Sequence, residues 1–270
     1  MRFREWITAK WKAAEALAMF VRSFRNWREV WEAYRRCRPL PTLVLRNGMT
    51  IQHGPGDDPI LLYREIFAGH CYTRGGFYTP RAGDTVIDLG ANIGFFAVYL
   101  QHVARGVRVH CFEPAGETRA RLERNIAANG LGEFVTVYPL AVSDRAGVLT
   151  LKGSSLTSHR SIFDRETGTD DGDETVQTVS LAEAVALTGA ESIDLLKIDV
   201  EGAEIEVVDS GDESVWPRVR RVMVEYHDLF RPGCSTRVAE VLRSQEFDAV
   251  ETVPDEPDPR LGYVRAWRKG

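Results

Sequence analysis

The amino-acid sequence predicts an α/β protein built on a doubly wound, mixed sheet. Three observations carry that expectation. Thr85-Val86-Ile87 is a short β-branched run that reads as a buried strand, and it ends in Asp88-Leu89-Gly90-Ala91-Asn92-Ile93-Gly94 before an apolar helical stretch through Leu100. Strand, glycine-containing turn and helix is how an open α/β sheet makes a ligand crevice at the carboxyl ends of its strands. Val107 to Phe112 is a second apolar strand, and it delivers Glu113 just past its end. The chain closes with Phe247 to Val253 and Gly262 to Trp267, two strands whose hairpin makes the sheet edge antiparallel.

From the amino terminus, Trp6, Ala13, Leu17, Phe20, Phe24, Trp27, Trp31 and Tyr34 form a stripe at helical, nearly heptad spacing. Asn26 followed by Glu29 reads as a capping pair that starts a second helix. Residues 1–38 hold ten Lys or Arg against four Glu, although the whole chain has a net charge of −5. Residues 1–41 are therefore expected as a basic, aromatic-striped helical extension. It packs on its own domain or on a second subunit, or it docks on a membrane surface or a partner. The main domain is residues 42–270, with its core from about residue 80. Within it, Thr42–Leu45 and Met49–Ile51 flank Asn47-Gly48, a hairpin signal. Helical periodicity resumes from Ile60 to Phe67, and Tyr72 and Phe77 lie just upstream of the crevice, placed either to cover a ligand or to pack.

A helix from Glu117 to Asn129 stops at Gly130, and Phe134–Tyr138 is a third strand, followed by the turn Ser143-Asp144. That turn either borders the crevice or simply reverses the chain. Val148–Leu151 and Thr175–Val179 are strands around a polar loop, residues 153–174, whose His159 and Arg160 are lid candidates. Ser180 with Glu183 forms a capping box for a helix through Leu187. An apolar strand then ends at Asp199, a helix starts near Ala203, and Arg220–Tyr226 is the next strand, with Glu225 and His227 at its end. Ser235–Ser244 is helical.

At 270 residues, 44% hydrophobic and 27% charged, the chain suits one large domain plus an extension. Its acidic balance gives no reason to expect nucleic acid as a partner. Cys37, Cys71, Cys111 and Cys234 are scattered, with neither a disulfide framework nor zinc-ligand spacing, which fits a reducing cytoplasm. Ala16–Val21 is too short to span a membrane, and Glu15 interrupts it as a signal core.

The acid after the second strand is placed to accept hydrogen bonds from both hydroxyls of a ribose. A dinucleotide fingerprint needs a central glycine so that the backbone can close on a pyrophosphate; here that position is Asn92. A ribose-bearing ligand without phosphate, such as S-adenosylmethionine, needs no such approach, and its cationic end suits carboxylates like Asp88. A nicotinamide-dependent oxidoreductase and a non-catalytic adaptor docking through the amino-terminal helix are the alternatives.

In their order and separations, VIDLGANIG, FEP, LLKIDVEGAE and VEYH resemble the FkbM-type S-adenosylmethionine-dependent methyltransferases, over roughly Leu43 to Trp267. The resemblance implies a class I methyltransferase (Rossmann-like) sheet of seven strands and O-methylation of a hydroxyl on a sugar, glycan or polyketide-type natural product. By position, Asp88, Gly90, Asn92 and Gly94 would line the methionine and ribose end of the cofactor. Glu113 would take the ribose hydroxyls, Ser143-Asp144 would border the adenine, and Asp199 would face the reactive methyl.

A sulfonium methyl is already activated, so the enzyme aligns an in-line displacement and withdraws the hydroxyl proton. His227 is the first choice of base because its ordinary pKa lies near working pH, with Asp199 or Glu225 orienting it or accepting the proton. A second arrangement makes Asp199, Glu225 and His227 ligands of a divalent metal; the metal-free base is preferred. Glu201 and Glu204 open a helix, where Glu204 is expected to favour the dipole.

Overall fold

The computed structural model describes residues 14–151, 173–256 and 258–269. Trp6, Ala13, His159 and Arg160 lie outside the described residues.

Residues 14–23 are helical (α1), and α2 spans Trp27–Arg35. Phe20 and Phe24 of the stripe are fully buried, and the ring of Phe20 meets those of Phe24, Trp31 and Tyr34 at centroid distances of 5.8, 5.6 and 5.2 Å. Phe20 and Phe24 of the stripe therefore pack on their own chain. Asn26 is the N-cap of α2, but its side chain makes no cap hydrogen bond. Instead its amide donates to the Thr42 carbonyl at 2.9 Å and accepts the Val44 N–H at 3.1 Å, which ties the helix to the hairpin β1 (Leu43–Val44) and β2 (Thr50–Ile51). The expected capping pair is corrected: a long-range backbone partner outcompeted the local one.

Helix α3 (Pro59–Leu62) starts at Asp58, whose carboxylate accepts the Leu61 N–H, and it continues as a π-turn over Tyr63–Ala68. Strand β3 (Thr85–Leu89) is buried throughout and leads into α4 (Phe95–Val103). The chain goes on through β4 (Arg108–Phe112), α5 (Gly116–Ala128), β5 (Val135–Tyr138), β6 (Ala141–Ser143), β7 (Gly147–Leu151) and β8 (Glu174–Ser180). Then come α6 (Leu181–Thr188), β9 (Leu195–Ile198), α7 (Glu204–Asp209), β10 (Arg221–His227), α8 (Cys234–Ser244), β11 (Ala249–Pro254) and β12 (Leu261–Trp267). The Ser180–Glu183 capping box forms as the sequence predicts.

The main sheet has seven strands in the order β11-β12-β10-β9-β3-β4-β5. Strands β5, β4, β3, β9 and β10 run parallel, and β12 is antiparallel to both of its neighbours, so the sheet is mixed. Strands β6, β8 and β7 form a separate three-stranded sheet.

Period-two alternation sends Val86, Val109, Leu195 and Met223 to one face of the main sheet, against α4, α5 and the amino-terminal helices. Ile87, Leu196, Val222 and Val224 face the other side, against α6, α7 and α8. Both faces are covered, as parallel strands require. Each such side chain contributes about 1.5–3 kcal/mol by leaving water.

Candidate active site at the carboxyl edge of the sheet

Two steps beyond Val86 and Leu195 on the same face come Asp88 and Lys197, registered opposite each other on neighbouring strands. Both are buried, and Lys197 Nζ lies 2.8 Å from Asp88 Oδ1, 3.3 Å from Asp199 Oδ2 and 3.2 Å from the Gly90 carbonyl. Burial pushes the Asp88 carboxyl up and Lys197 opposes it; at that distance the pair stands as an ammonium and a carboxylate. Lys197 thus binds the end of β3 to the end of β9. The strand LLKI had one charge among apolar neighbours, which was the signal that a buried partner was needed.

Past β3 the chain turns at Gly90, with φ +77°, where a Cβ would stand 1.7 Å from the Asp199 carbonyl oxygen. Only glycine permits that approach. Asn92 also has positive φ, its side-chain oxygen accepts the Ile93 N–H at 2.7 Å, and its own N–H donates to Glu113 Oε2 at 2.9 Å. Glu113 Oε1 accepts the Ala115 N–H at 3.0 Å. Burial raises the Glu113 carboxyl to about 7, against the lowering effect of these two N–H groups.

Gly90, Asn92, Phe112, Glu113, Val142 and Asp199 line one cleft. Asp88 and Gly94 are absent from its lining: Asp88 is sealed beneath Lys197, and Gly94 starts α4 with φ +87°, where a Cβ would meet Leu122. The wall beyond β5 is built by Leu140, Ala141 and Val142, not by Ser143 and Asp144. Ser143 instead pairs with Ser180 on β8, and its carbonyl accepts from Ser210. Tyr72 is buried between Phe96 and Tyr263, with Lys197 Nζ 5.4 Å from its ring centroid, so it packs under the site.

At the other end Asp199 and Glu201 line the cleft, and a group of charged side chains lies behind them. His227, the last residue of β10, is 6% exposed, and its Nδ1 is 2.9 Å from Glu204 Oε1. Glu204 is fully buried and also accepts the Gly202 N–H at 2.8 Å. Glu204 does open α7, as expected, and it also holds the imidazole. Burial works to lower the His227 pKa, but Glu204, Glu201 and Asp199 together raise it to about 10. Burial first, then Asp199, raises Glu225 well above the ordinary carboxyl range. Glu65, on the π-turn, is pushed up to about 7 by burial, Asp255 and Asp199, so it belongs to the same acidic neighbourhood. Asp199, Glu225 and His227 are the less favoured, metal-bound alternative to a metal-free base; among the described residues the donor atoms that lie within 4.8 Å of one another are those of Asp199, Glu201 and His227.

Comparison with known proteins agrees with this geometry. Residues 88–252 match the family model of the methyltransferase FkbM domain. The chain is 35% identical over 246 residues to 31-O-demethyl-FK506 methyltransferase FkbM of Streptomyces tacrolimicus, covering 81% of this chain and 91% of that protein. It is 30% identical over 228 residues to methyltransferase sdnD of Sordaria araneosa, covering 72% of this chain and 86% of that one. The crystal structure of methyltransferase FkbM from Methylobacillus flagellatus superposes with a TM-score of 0.54 at 14% identity, over 97% of this chain and 59% of that longer one. The fold is that of the class I methyltransferases. Among the described residues no helix is long and apolar enough to cross a membrane.

Proposed function

Because the chain belongs to the FkbM methyltransferase family, we propose that this methyltransferase uses S-adenosylmethionine to methylate a hydroxyl. The acceptor is a small molecule of the sugar, glycan or polyketide class. The nicotinamide and adaptor alternatives are set aside by the family. The observation that carries the reading is Glu113, a buried carboxylate at the rim of the cleft whose two oxygens each accept one backbone N–H. A carboxylate has about four acceptor sites, so two remain for a ribose diol. Phe112, Leu140 and Val142 offer an apolar wall for an adenine.

When bound, S-adenosylmethionine supplies an activated methyl group. Asp199 and Glu225, with His227 beside them, hold the acceptor hydroxyl in line. The acceptor oxygen would take the methyl group, S-adenosylhomocysteine would leave, and Asp199 would take the acceptor's proton. Glu204, Glu201 and Asp199 favour the protonated imidazole of His227, and burial raises the Glu225 carboxyl, so the base role shifts from His227 to Asp199, with Glu225 beside it. His227 then acts as the positive group that positions them. The relative acting on 31-O-demethyl-FK506 supports oxygen as the acceptor atom. The unpaired cysteines support a cytoplasmic location.

Calorimetric titration with S-adenosylmethionine, S-adenosylhomocysteine and NAD tests this reading. The first two should bind, and Glu113→Ala should weaken them at least tenfold. Binding of NAD alone would overturn it.

A further inference from the structure

We propose that Thr118 is a further cofactor-binding residue whose hydroxyl hydrogen-bonds the adenosine half of S-adenosylmethionine, which deepens the cofactor reading and rests on it for the identity of the ligand. Thr118 lines the same cleft as Glu113 and Ala115, beside the apolar wall of Phe112, Leu140 and Val142. The residue is 3% exposed, and its Oγ1 is buried without a hydrogen-bond partner among the described residues.

A threonine this early in a helix ordinarily satisfies its hydroxyl nearby. Thr118 is the third residue of α5, and the N-cap residue Ala115 has no side chain able to cap. A helical threonine commonly bonds its hydroxyl to the carbonyl three or four residues earlier. A polar side chain at this position can also reach back to the N-cap N–H. All three groups are already engaged. The Pro114 carbonyl accepts Arg119 Nη1 at 2.7 Å, and the Ala115 carbonyl accepts the Arg119 N–H at 2.8 Å. The Ala115 N–H donates to Glu113 Oε1 at 3.0 Å. The contacts that hold the Glu113 carboxylate and the start of α5 thus leave the neighbouring hydroxyl over.

A buried hydroxyl with no partner destabilises the chain that carries it. A ligand that supplies the partner recovers that loss as affinity. The place of Thr118 in the cleft says which part of the ligand does so. It follows Glu113 by five residues and shares its stretch of lining, whereas Asp199 and Glu201 follow β9 at the other end. The Glu113 end is the one read above as holding ribose and adenine. Ribose hydroxyls and adenine ring nitrogens both accept hydrogen bonds, and a threonine hydroxyl donates as well as accepts.

The test pairs thermal melting of the ligand-free full chain with calorimetric titration of two ligands. One is S-adenosylhomocysteine; the other is methylthioadenosine, which keeps the adenosine and lacks the amino-acid tail. Thr118→Val keeps the shape and removes the hydroxyl. The free variant should melt no lower than the wild type, and it should bind both ligands about three- to tenfold more weakly. Thr118→Ser, which keeps the hydroxyl, should bind both as the wild type does. A hydroxyl that serves the fold alone gives the reverse pattern, with a lower melting temperature in free Thr118→Val and unchanged affinity. Either half of that pattern would overturn the proposal, as would a loss confined to S-adenosylhomocysteine. A wild type that binds neither ligand fails the cofactor reading itself; a wild type that binds, beside a Thr118→Val variant that binds equally, fails Thr118 alone.

Discussion

The two ends of the crevice are built by different means. At the Glu113 end, main chain does the shaping: Gly90 packs against the Asp199 carbonyl, and the N–H groups of Asn92 and Ala115 hold the carboxylate. At the His227 end, side chains do it: Asp199, Glu201, Glu204 and Glu225 surround one imidazole. A backbone-built end is sensitive first to volume. An end built from charges is the reverse, and it is where the proposed acceptor chemistry would be tuned.

The sharpest way to break that contrast is Gly90→Ala. A Cβ at 1.7 Å from a carbonyl, in a left-handed conformation, forces β3 and β9 apart. Loss of more than about 3 kcal/mol of stability and of cofactor binding is expected, read by denaturant unfolding and S-adenosylhomocysteine titration. Lys197→Met preserves volume and removes charge; it should cost about 3–5 kcal/mol by leaving Asp88 buried without its counter-ion. Adding Asp88→Asn to it should restore part of that loss in urea unfolding. If Lys197→Met is neutral, charge does not join the two ends.

A third prediction concerns pH. Glu113 has a folded pKa of about 7, above its ordinary 4.5. The folded state therefore holds the proton more tightly, so this group's contribution to stability is full below about 4.5 and is lost as pH rises through about 7. Ribose hydroxyls bind best to the ionised form, so S-adenosylhomocysteine affinity should rise several-fold from pH 6 to 8. Glu113→Gln should flatten that rise. The smallest effect lies outside both ends: Asn26→Ala should cost about 1 kcal/mol by orphaning the Val44 N–H, without changing cofactor affinity.

The backbone-built end was largely legible in the sequence. The run DTVIDLGANIG and the acid after the next strand are local patterns, and local patterns set local geometry. The closing antiparallel strands and the Ser180 capping box were legible for the same reason. Lys197 pairing with Asp88 was not, because it joins residues 109 positions apart and depends on the register of two strands. Glu204 looked like a helix-dipole residue, since nothing local shows that β10 brings an imidazole against it. Strands β6, β7 and β8 were visible one by one, but their separation into a second sheet depends on pairing that periodicity does not encode.

The position of β9 between β3 and β10 has a consequence for biosynthesis. Strand β3 pairs with β4 soon after both emerge from the ribosome, but its other edge waits for β9, with 109 residues separating Thr85 from Asp194. At about 5–20 residues per second, that apolar edge is open for roughly 5–20 s in every molecule made. Parallel pairing across such a separation is also intrinsically slow. The yield of soluble protein should therefore depend more on elongation rate and chaperone supply during this interval than on the stability of the finished fold.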